Sequence, residues 1–92
     1  MSLSIAELAR ARETIAGLLE ELGLETYLFE VEPRNEQWEL KVDCVMAADG
    51  AWESVTLRVP REALLTSQDD AALRRRLLAE WQDRFVACKL RE

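Results

Sequence analysis

Three consecutive segments between residues 26 and 60 alternate apolar and polar side chains, and this pattern constrains the fold more than any other. Successive side chains of a strand point to opposite faces of a sheet, so such alternation predicts strands with one buried and one solvated face. We expect Pro33 to end the first strand, because proline is confined to strand ends and edges. The apolar positions are Tyr27, Phe29 and Val31; Trp38, Leu40, Val42, Cys44 and Met46; and Val55, Leu57 and Val59.

The turns between these segments predict how the strands pair. Asp49-Gly50 is a strong signal for a two-residue hairpin turn, because both residues tolerate positive φ. A turn there pairs Val42 with Leu57, and a turn at residues 34–35 pairs Phe29 with Leu40. Both hairpins keep the apolar positions on one face, as a half-buried sheet requires. The sequence therefore predicts an antiparallel meander with strand order 1-2-3.

Helical patterns lie on both sides of the meander. Ser4 and Glu7 form a capping-box signal for a first helix that ends near Leu22, and Gly23 occupies the expected left-handed position after it. Pro60–Thr66 predicts a short helix, and the acids that follow Ser67 favour the start of a last one. The apolar stripe of the last helix is Leu73, Leu77, Leu78, Trp81, Phe85 and Cys88.

The element order α-β-β-β-α-α predicts a two-layer α+β fold, in which the helices cover one face of a three-stranded antiparallel sheet. The chain has 92 residues, which is room for one domain over residues 1–92. The second face of the sheet stays open to solvent. In the expected pairing, two like charges, Glu30 and Glu39, lie opposite each other on that face, which is destabilising.

The open face supplies the candidate interaction site. Trp52 falls on it beside Leu28 and Val45, as an aromatic anchor surrounded by polar residues, which is typical of contact patches. In the alternative interpretation, Trp52 only covers the end of the sheet. The candidate interaction residues are Leu28, Glu30, Glu32, Glu39, Lys41, Asp43, Val45, Trp52 and Arg58.

The charge distribution argues against direct nucleic-acid binding. The net charge is −6 and the isoelectric point is near 4.7, whereas phosphate-binding proteins need a basic face. Residues 1–53 carry twelve acids against four bases, and residues 54–92 carry six acids against eight bases. The element order is similar to that of double-stranded RNA-binding domains, but the last helix starts with Asp69-Asp70-Ala71-Ala72 where those domains carry lysines.

The residue inventory disfavours catalysis, metals and cofactors. Histidine is absent, which removes the most common catalytic and metal-binding side chain. The glycines form no phosphate-binding loop, and Cys44 and Cys88 form no CxxC motif. Both cysteines face inward, so we expect buried free thiols, with a disulfide as the alternative if they meet in the core. We also expect no membrane span and, without a signal-peptide pattern, a cytosolic location.

Three functions are carried forward. The first is a small cytosolic, non-catalytic protein–protein interaction module that forms a homodimer, with another protein as the alternative partner. The sheet face, a sheet edge, or the acidic half of one copy against the basic half of the other could each form the contact. The second is an acidic inhibitor or nucleic-acid mimic, similar in size, acidity and element order to some anti-CRISPR proteins; it requires a continuous carboxylate strip. The third is an enzyme that uses Tyr27 or paired carboxylates in a pocket. The strip would consist of Glu30, Glu32, Glu36, Glu39 and Asp43.

Overall fold

The computed structural model describes residues 4–91 and confirms the α+β fold and its element order. The three strands form one antiparallel sheet in the order β1-β2-β3. The helices lie against one of its faces, and no helix or strand between residues 4 and 91 covers the second face. The elements are α1 (Ile5–Leu22), β1 (Tyr27–Arg34), β2 (Gln37–Val45), β3 (Trp52–Pro60), α2 (Arg61–Thr66) and α3 (Ala71–Arg84).

Side-chain caps fix the starts of the two long helices. The Ser4 hydroxyl accepts a hydrogen bond from the Glu7 N–H at 3.0 Å, and the Asp70 carboxylate accepts one from the Leu73 N–H at 3.1 Å. Both bonds satisfy amides that lack a partner within the helix. At the end of α1, Gly23 has φ +82°, as the sequence predicts. The bounds of α1 therefore follow from local signals alone.

The core lies between the inner face of the sheet and the helices. The inward side chains of the central strand β2 are fully buried and include Trp38, Leu40 and Val42. The helices supply the opposite half of the core, which includes Ile15 of α1 and Trp81 of α3. The outward side chains that alternate with them along β2 are all partly or largely exposed. The predicted inward and outward faces of the sheet are thus confirmed.

The predicted pairing register is wrong by two residues in both hairpins. Val42 lies opposite Val55 on β3 and opposite Phe29 on β1, where Leu57 and Tyr27 were expected. Trp52 lies opposite Val45 of β2, two residues away from its expected partner Ala47. A shift of two residues preserves the face on which every side chain lies, because the period of a strand is two. The error therefore changes cross-strand partners but no inward or outward assignment.

Turn geometry explains the shift. The first turn is Asn35-Glu36, with Asn35 at φ +59°, so β1 continues through Pro33 instead of ending there. Proline is tolerated because β1 is an edge strand. In the second hairpin the Met46 N–H donates to the Ala51 carbonyl at 2.8 Å, which closes a four-residue loop over residues 47–50. The left-handed conformation of Asn35 and the four-residue loop therefore determine the register, and the predicted turns at residues 34–35 and 49–50 do not form.

The last helix is shorter than its apolar stripe suggests. It ends at Arg84, and the chain then runs as an extended segment that we call the C-terminal clasp, residues 87–91. Lys89 N–H donates to the Val45 carbonyl at 2.7 Å, and Arg91 N–H donates to the Gly23 carbonyl at 2.7 Å. The clasp therefore bonds to the end of β2 on one side and to the exit of α1 on the other.

A disulfide joins the clasp to the sheet. Cys44 of β2 and Cys88 of the clasp are bonded, with their Cα atoms 5.9 Å apart, and both side chains are buried. The expectation of free thiols is therefore wrong. Cys88 reaches Cys44 because α3 ends before it, which allows the chain to turn back to the sheet beside Met46.

Opposite faces of β2 predict opposite effects for adjacent substitutions. Val42→Asp places an unpaired charge in the core and should lower the free energy of unfolding by more than about 3 kcal/mol. Lys41→Asp changes an exposed residue and should cost less than about 1 kcal/mol, mainly through the charge of Glu30 opposite it. Urea unfolding followed by circular dichroism measures both values. Similar losses would contradict the assignment of faces.

The disulfide predicts a large effect of reductant on stability. The two cysteines are 44 residues apart, so opening the bond should lower the free energy of unfolding by about 4 kcal/mol through the entropy of the unfolded chain. Urea unfolding with and without dithiothreitol measures the difference. A double variant with Cys44→Ala and Cys88→Ala serves as the control and should not respond to reductant. Two thiols that react with an alkylating reagent in the unreduced, unfolded chain would contradict the bond.

Candidate interaction surface

Three apolar side chains are adjacent at one end of the open sheet face, and we call them the outer apolar patch: Leu28, Val45 and Trp52. Val45 and Trp52 are direct cross-strand partners, and Leu28 lies diagonal to Val45 because its own partner is Asp43. Such neighbours are about 5 and 7 Å apart at Cβ, within contact distance for an indole ring. Leu28 is 65% exposed and Trp52 is 52% exposed. The patch is therefore real apolar surface in contact with water.

The opposite end of the open face is a set of ion pairs centred on Glu39. Its carboxylate lies 3.4 Å from Arg34 Nε and 3.4 Å from Arg58 Nη2, and its side chain is only 19% exposed. Arg34 also contacts Glu32 at 3.0 Å. The hydrogen bond to Glu32, together with the charge of Glu39, raises the pKa of Arg34. This end of the face is charged but internally balanced.

The remaining candidate residues complete the face, although their partners differ from those expected. Glu30 lies opposite Lys41, and Glu32 lies opposite Glu39, so the predicted pairing of Glu30 with Glu39 is wrong. All nine candidate residues occupy outward positions of their strands. Arg34 also occupies an outward position of β1, which the sequence did not predict because Pro33 was expected to end the strand.

The predicted carboxylate strip does not form among the described residues. Glu36 lies in the first turn and lines a small surface depression with Arg61 and Glu7, away from the open face. Asp43 accepts a hydrogen bond from the Ser54 hydroxyl, and Glu39 is paired with two arginines. Of the five expected members, Glu36 lies elsewhere, and Glu32, Glu39 and Asp43 have polar or basic partners. The open face is consequently a mixed-charge surface with an apolar end.

The acidic and basic halves of the sequence neutralise each other within the chain. Among residues 4–91, five of seven ion pairs join an acid from the first half to a base from the second. Arg74 of α3, for example, lies 2.7 Å from Glu21 of α1. The five pairs are Glu7–Arg61, Glu20–Arg91, Glu21–Arg74, Glu25–Lys89 and Glu39–Arg58.

The groups named in the enzyme hypothesis have no buried carboxyl group beside them, because the buried polar side chains among residues 4–91 are Thr14 and Ser67. Burial and the nearby Glu20 carboxylate raise the pKa of Tyr27, against an opposing effect of Arg91. A phenol with a raised pKa stays protonated at neutral pH and is a poor general base. Cys44 is in the disulfide and offers no thiol. Within the described range, no group of three or more Cys, Asp or Glu side chains could hold a metal ion.

Comparison with known proteins leaves the function to be argued from this chain's own residues. The chain matches no family model, and no curated protein or solved structure matches it significantly. Between residues 4 and 91, no helix is both long enough and apolar enough to cross a membrane. The surface chemistry of the sheet is therefore the basis for any proposed function.

The raised pKa of Tyr27 predicts how stability changes at alkaline pH. Its pKa is above the ordinary value of 10.0 in the folded chain, so the folded state holds the proton more tightly than the unfolded state does. The contribution is fully present below pH 10 and should be lost as the pH rises through the folded pKa. Absorbance titration of this single tyrosine should give a midpoint above 10. Glu20→Gln should lower that midpoint and Glu13→Gln should not; an unshifted midpoint in the wild type would contradict the contact.

Proposed function

We propose that this protein is a small, non-catalytic interaction module that forms a homodimer through the open face of its sheet. The outer apolar patch is the observation that carries the proposal. Trp52, Leu28 and Val45 are the apolar exception on a face of charged and polar residues. Exposed aromatic and aliphatic side chains with a polar rim are typical of protein contact surfaces, where tryptophan is one of the enriched anchor residues.

Charge balance favours a second copy as the partner. The ion pairs of Glu39 with Arg34 and Arg58 leave this part of the face without an excess of one sign. A face without excess charge does not favour a strongly charged partner. Its apolar patch can instead be buried against the identical patch of a second copy. In a two-fold dimer the same surface of both copies meets, so Trp52 of one copy packs against Leu28 and Val45 of the other.

The size of the face predicts a weak dimer. Three strands spaced about 4.8 Å apart, each of eight or nine residues that rise about 3.3 Å, give a face of about 14 by 28 Å. This is about half of the 800 Å² that a stable interface buries on each partner. The proposed dimer accordingly belongs to the transient class, with a dissociation constant in the micromolar range or weaker.

The inhibitor or mimic function receives less support than the dimer. A mimic of nucleic acid needs regularly spaced carboxylates that are free to bind the basic side chains of its target protein. Glu39 and Glu32 are paired with arginine, and Glu36 lies off the face. The acidic surface of the first half is also partly neutralised by the second half. No feature of the described residues favours this function over self-association.

The cytosolic location expected from the sequence stays a prediction. Disulfides are rare in the reducing cytosol and persist in oxidising compartments. The Cys44–Cys88 bond therefore weighs against that location. The proposed dimer does not depend on the compartment, because neither cysteine belongs to the open face.

The dimer is tested by measuring mass in solution by size-exclusion chromatography with light scattering. The wild type should approach twice 10.6 kDa as its concentration rises into the millimolar range. Trp52→Ser should raise the dissociation constant at least tenfold. Because each copy carries −6, added salt should preserve or strengthen an apolar contact, whereas charge pairing would weaken.

Ile5→Ser is the matched control for the dimer. It removes an 87% exposed apolar side chain at the start of α1, on the helical side of the molecule. This variant should dimerise like the wild type, and circular dichroism should show that both variants are folded. A wild type that is monomeric at millimolar concentration, or equal effects of the two substitutions, would contradict the proposal.

A further inference from the structure

The exposed edge of β1 carries a second site, distinct from the open face. We propose that this edge binds an extended segment of another protein, in which apolar and basic residues alternate, as a fourth strand of the sheet. Strand addition of this kind gains its affinity from main-chain hydrogen bonds and its specificity from alternate side chains. The proposal rests on the hydrogen-bond directions of β1 and on the side chains beside them.

The bonds of β2 determine which groups of β1 face outward. The Met46 N–H bonds toward β3, whereas the Val45 carbonyl accepts from Lys89 on the opposite side. The N–H and C=O of one residue point to one side of a strand, and those of the next residue point to the other side. The odd-numbered residues of β2 therefore form hydrogen bonds with β1, where their partners are the even-numbered residues. The backbones of Tyr27, Phe29 and Val31 therefore face away from the sheet. Across residues 4–91, no backbone group outside the sheet bonds to them.

The opposite edge of the sheet is closed in its centre. By the same alternation the backbone of Thr56 on β3 faces outward, and its carbonyl accepts a hydrogen bond from Arg84 Nη2 at 3.0 Å. Arg84 extends from the end of α3 and occupies the position that an added strand would need. A covering side chain of this kind is a common protection of sheet edges. The two edges therefore differ, and β1 is the one with unpaired groups along its centre.

The side chains along β1 indicate the chemistry of the partner. On the inner face, Tyr27 and Phe29 are half-buried and their rings stack with centroids 6.4 Å apart. They offer apolar contact to an added strand. On the outer face, Glu30 is exposed and takes part in none of the ion pairs formed by residues 4–91. Lys41 is its neighbour on the β2 side, and Arg34 already pairs with Glu32. A partner strand with Lys or Arg opposite Glu30 would form an ion pair on the outer face. Apolar residues on either side of that cation would contact Tyr27 and Phe29 on the inner face.

Glutamates also disfavour a second copy of β1 as the occupant. Two β1 strands that pair antiparallel over nearly their whole length are centred on Glu30 or on Val31. The first arrangement places Glu30 opposite Glu30, and the second places Glu30 opposite Glu32. Like charges directly opposite are destabilising in both cases. A heterologous basic segment avoids this repulsion.

The proposal is tested with a synthetic peptide of alternating valine and lysine, eight residues long and blocked at both ends. Heteronuclear NMR of the full-length chain should show that peptide at saturation slows amide exchange of Tyr27, Phe29 and Val31 at least tenfold. The amides of Ser54 and Thr56 on the other edge should not change. The same peptide with N-methylated valines should bind at least tenfold more weakly, because it lacks the donors that face β1.

Charge variants complete the test. A valine–glutamate peptide should bind more weakly than the valine–lysine peptide, and Glu30→Lys should reverse that preference. Glu53→Lys makes the same charge change on β3 and should leave both affinities within about threefold. Equal binding of the N-methylated peptide would overturn the proposal, and so would protection on the β3 edge. Concentration-dependent protection of Phe29 without peptide would also overturn it, because it would identify a second copy as the occupant.

Discussion

The antiparallel pairing of β2 with both of its neighbours is the interaction on which the rest of the structure depends. Every inward side chain of β2 from Trp38 to Cys44 is fully buried, so the helices can pack only against this face. The pairing also places Trp52 beside Val45 and leaves the outer backbone groups of Phe29 unpaired. Core, open face and free edge all follow from this antiparallel pairing.

The sequence predicts the faces of this sheet but not its register, for a physical reason. Burial of apolar side chains determines which alternate positions of a strand face the core. A shift of the pairing by two residues keeps every side chain on the same face, so it exposes no apolar surface. The register is decided by the turns, where Asn35 adopts a left-handed conformation and a four-residue loop surrounds Asp49. Two-residue turns were the stronger local signals, and the preference of asparagine for positive φ was the signal that could have corrected the first one.

The C-terminal clasp lay beyond sequence-based prediction because its contacts are long-range. The apolar stripe of α3 continues to Cys88, so helical periodicity alone does not end the helix at Arg84. The clasp is held by backbone bonds to residues near Gly23 and Val45 and by the bond to Cys44, none of which has a local pattern. The ion pairs between the two halves have the same character: the sequence shows the asymmetry of charge, but only the fold shows that Arg91 meets Glu20. The candidate surface was predictable because it needs only the side of each strand.

Cross-strand proton distances test the register most directly. In antiparallel pairs without mutual hydrogen bonds the Cα atoms are about 4.5 Å apart, and their Hα protons give strong nuclear Overhauser effects. The register described predicts such effects between Phe29 and Val42, and between Val31 and Leu40. Effects between Phe29 and Leu40, and between Val31 and Trp38, would show the hairpin shifted by two residues. That result would contradict the account, because the partners on the open face would then all change.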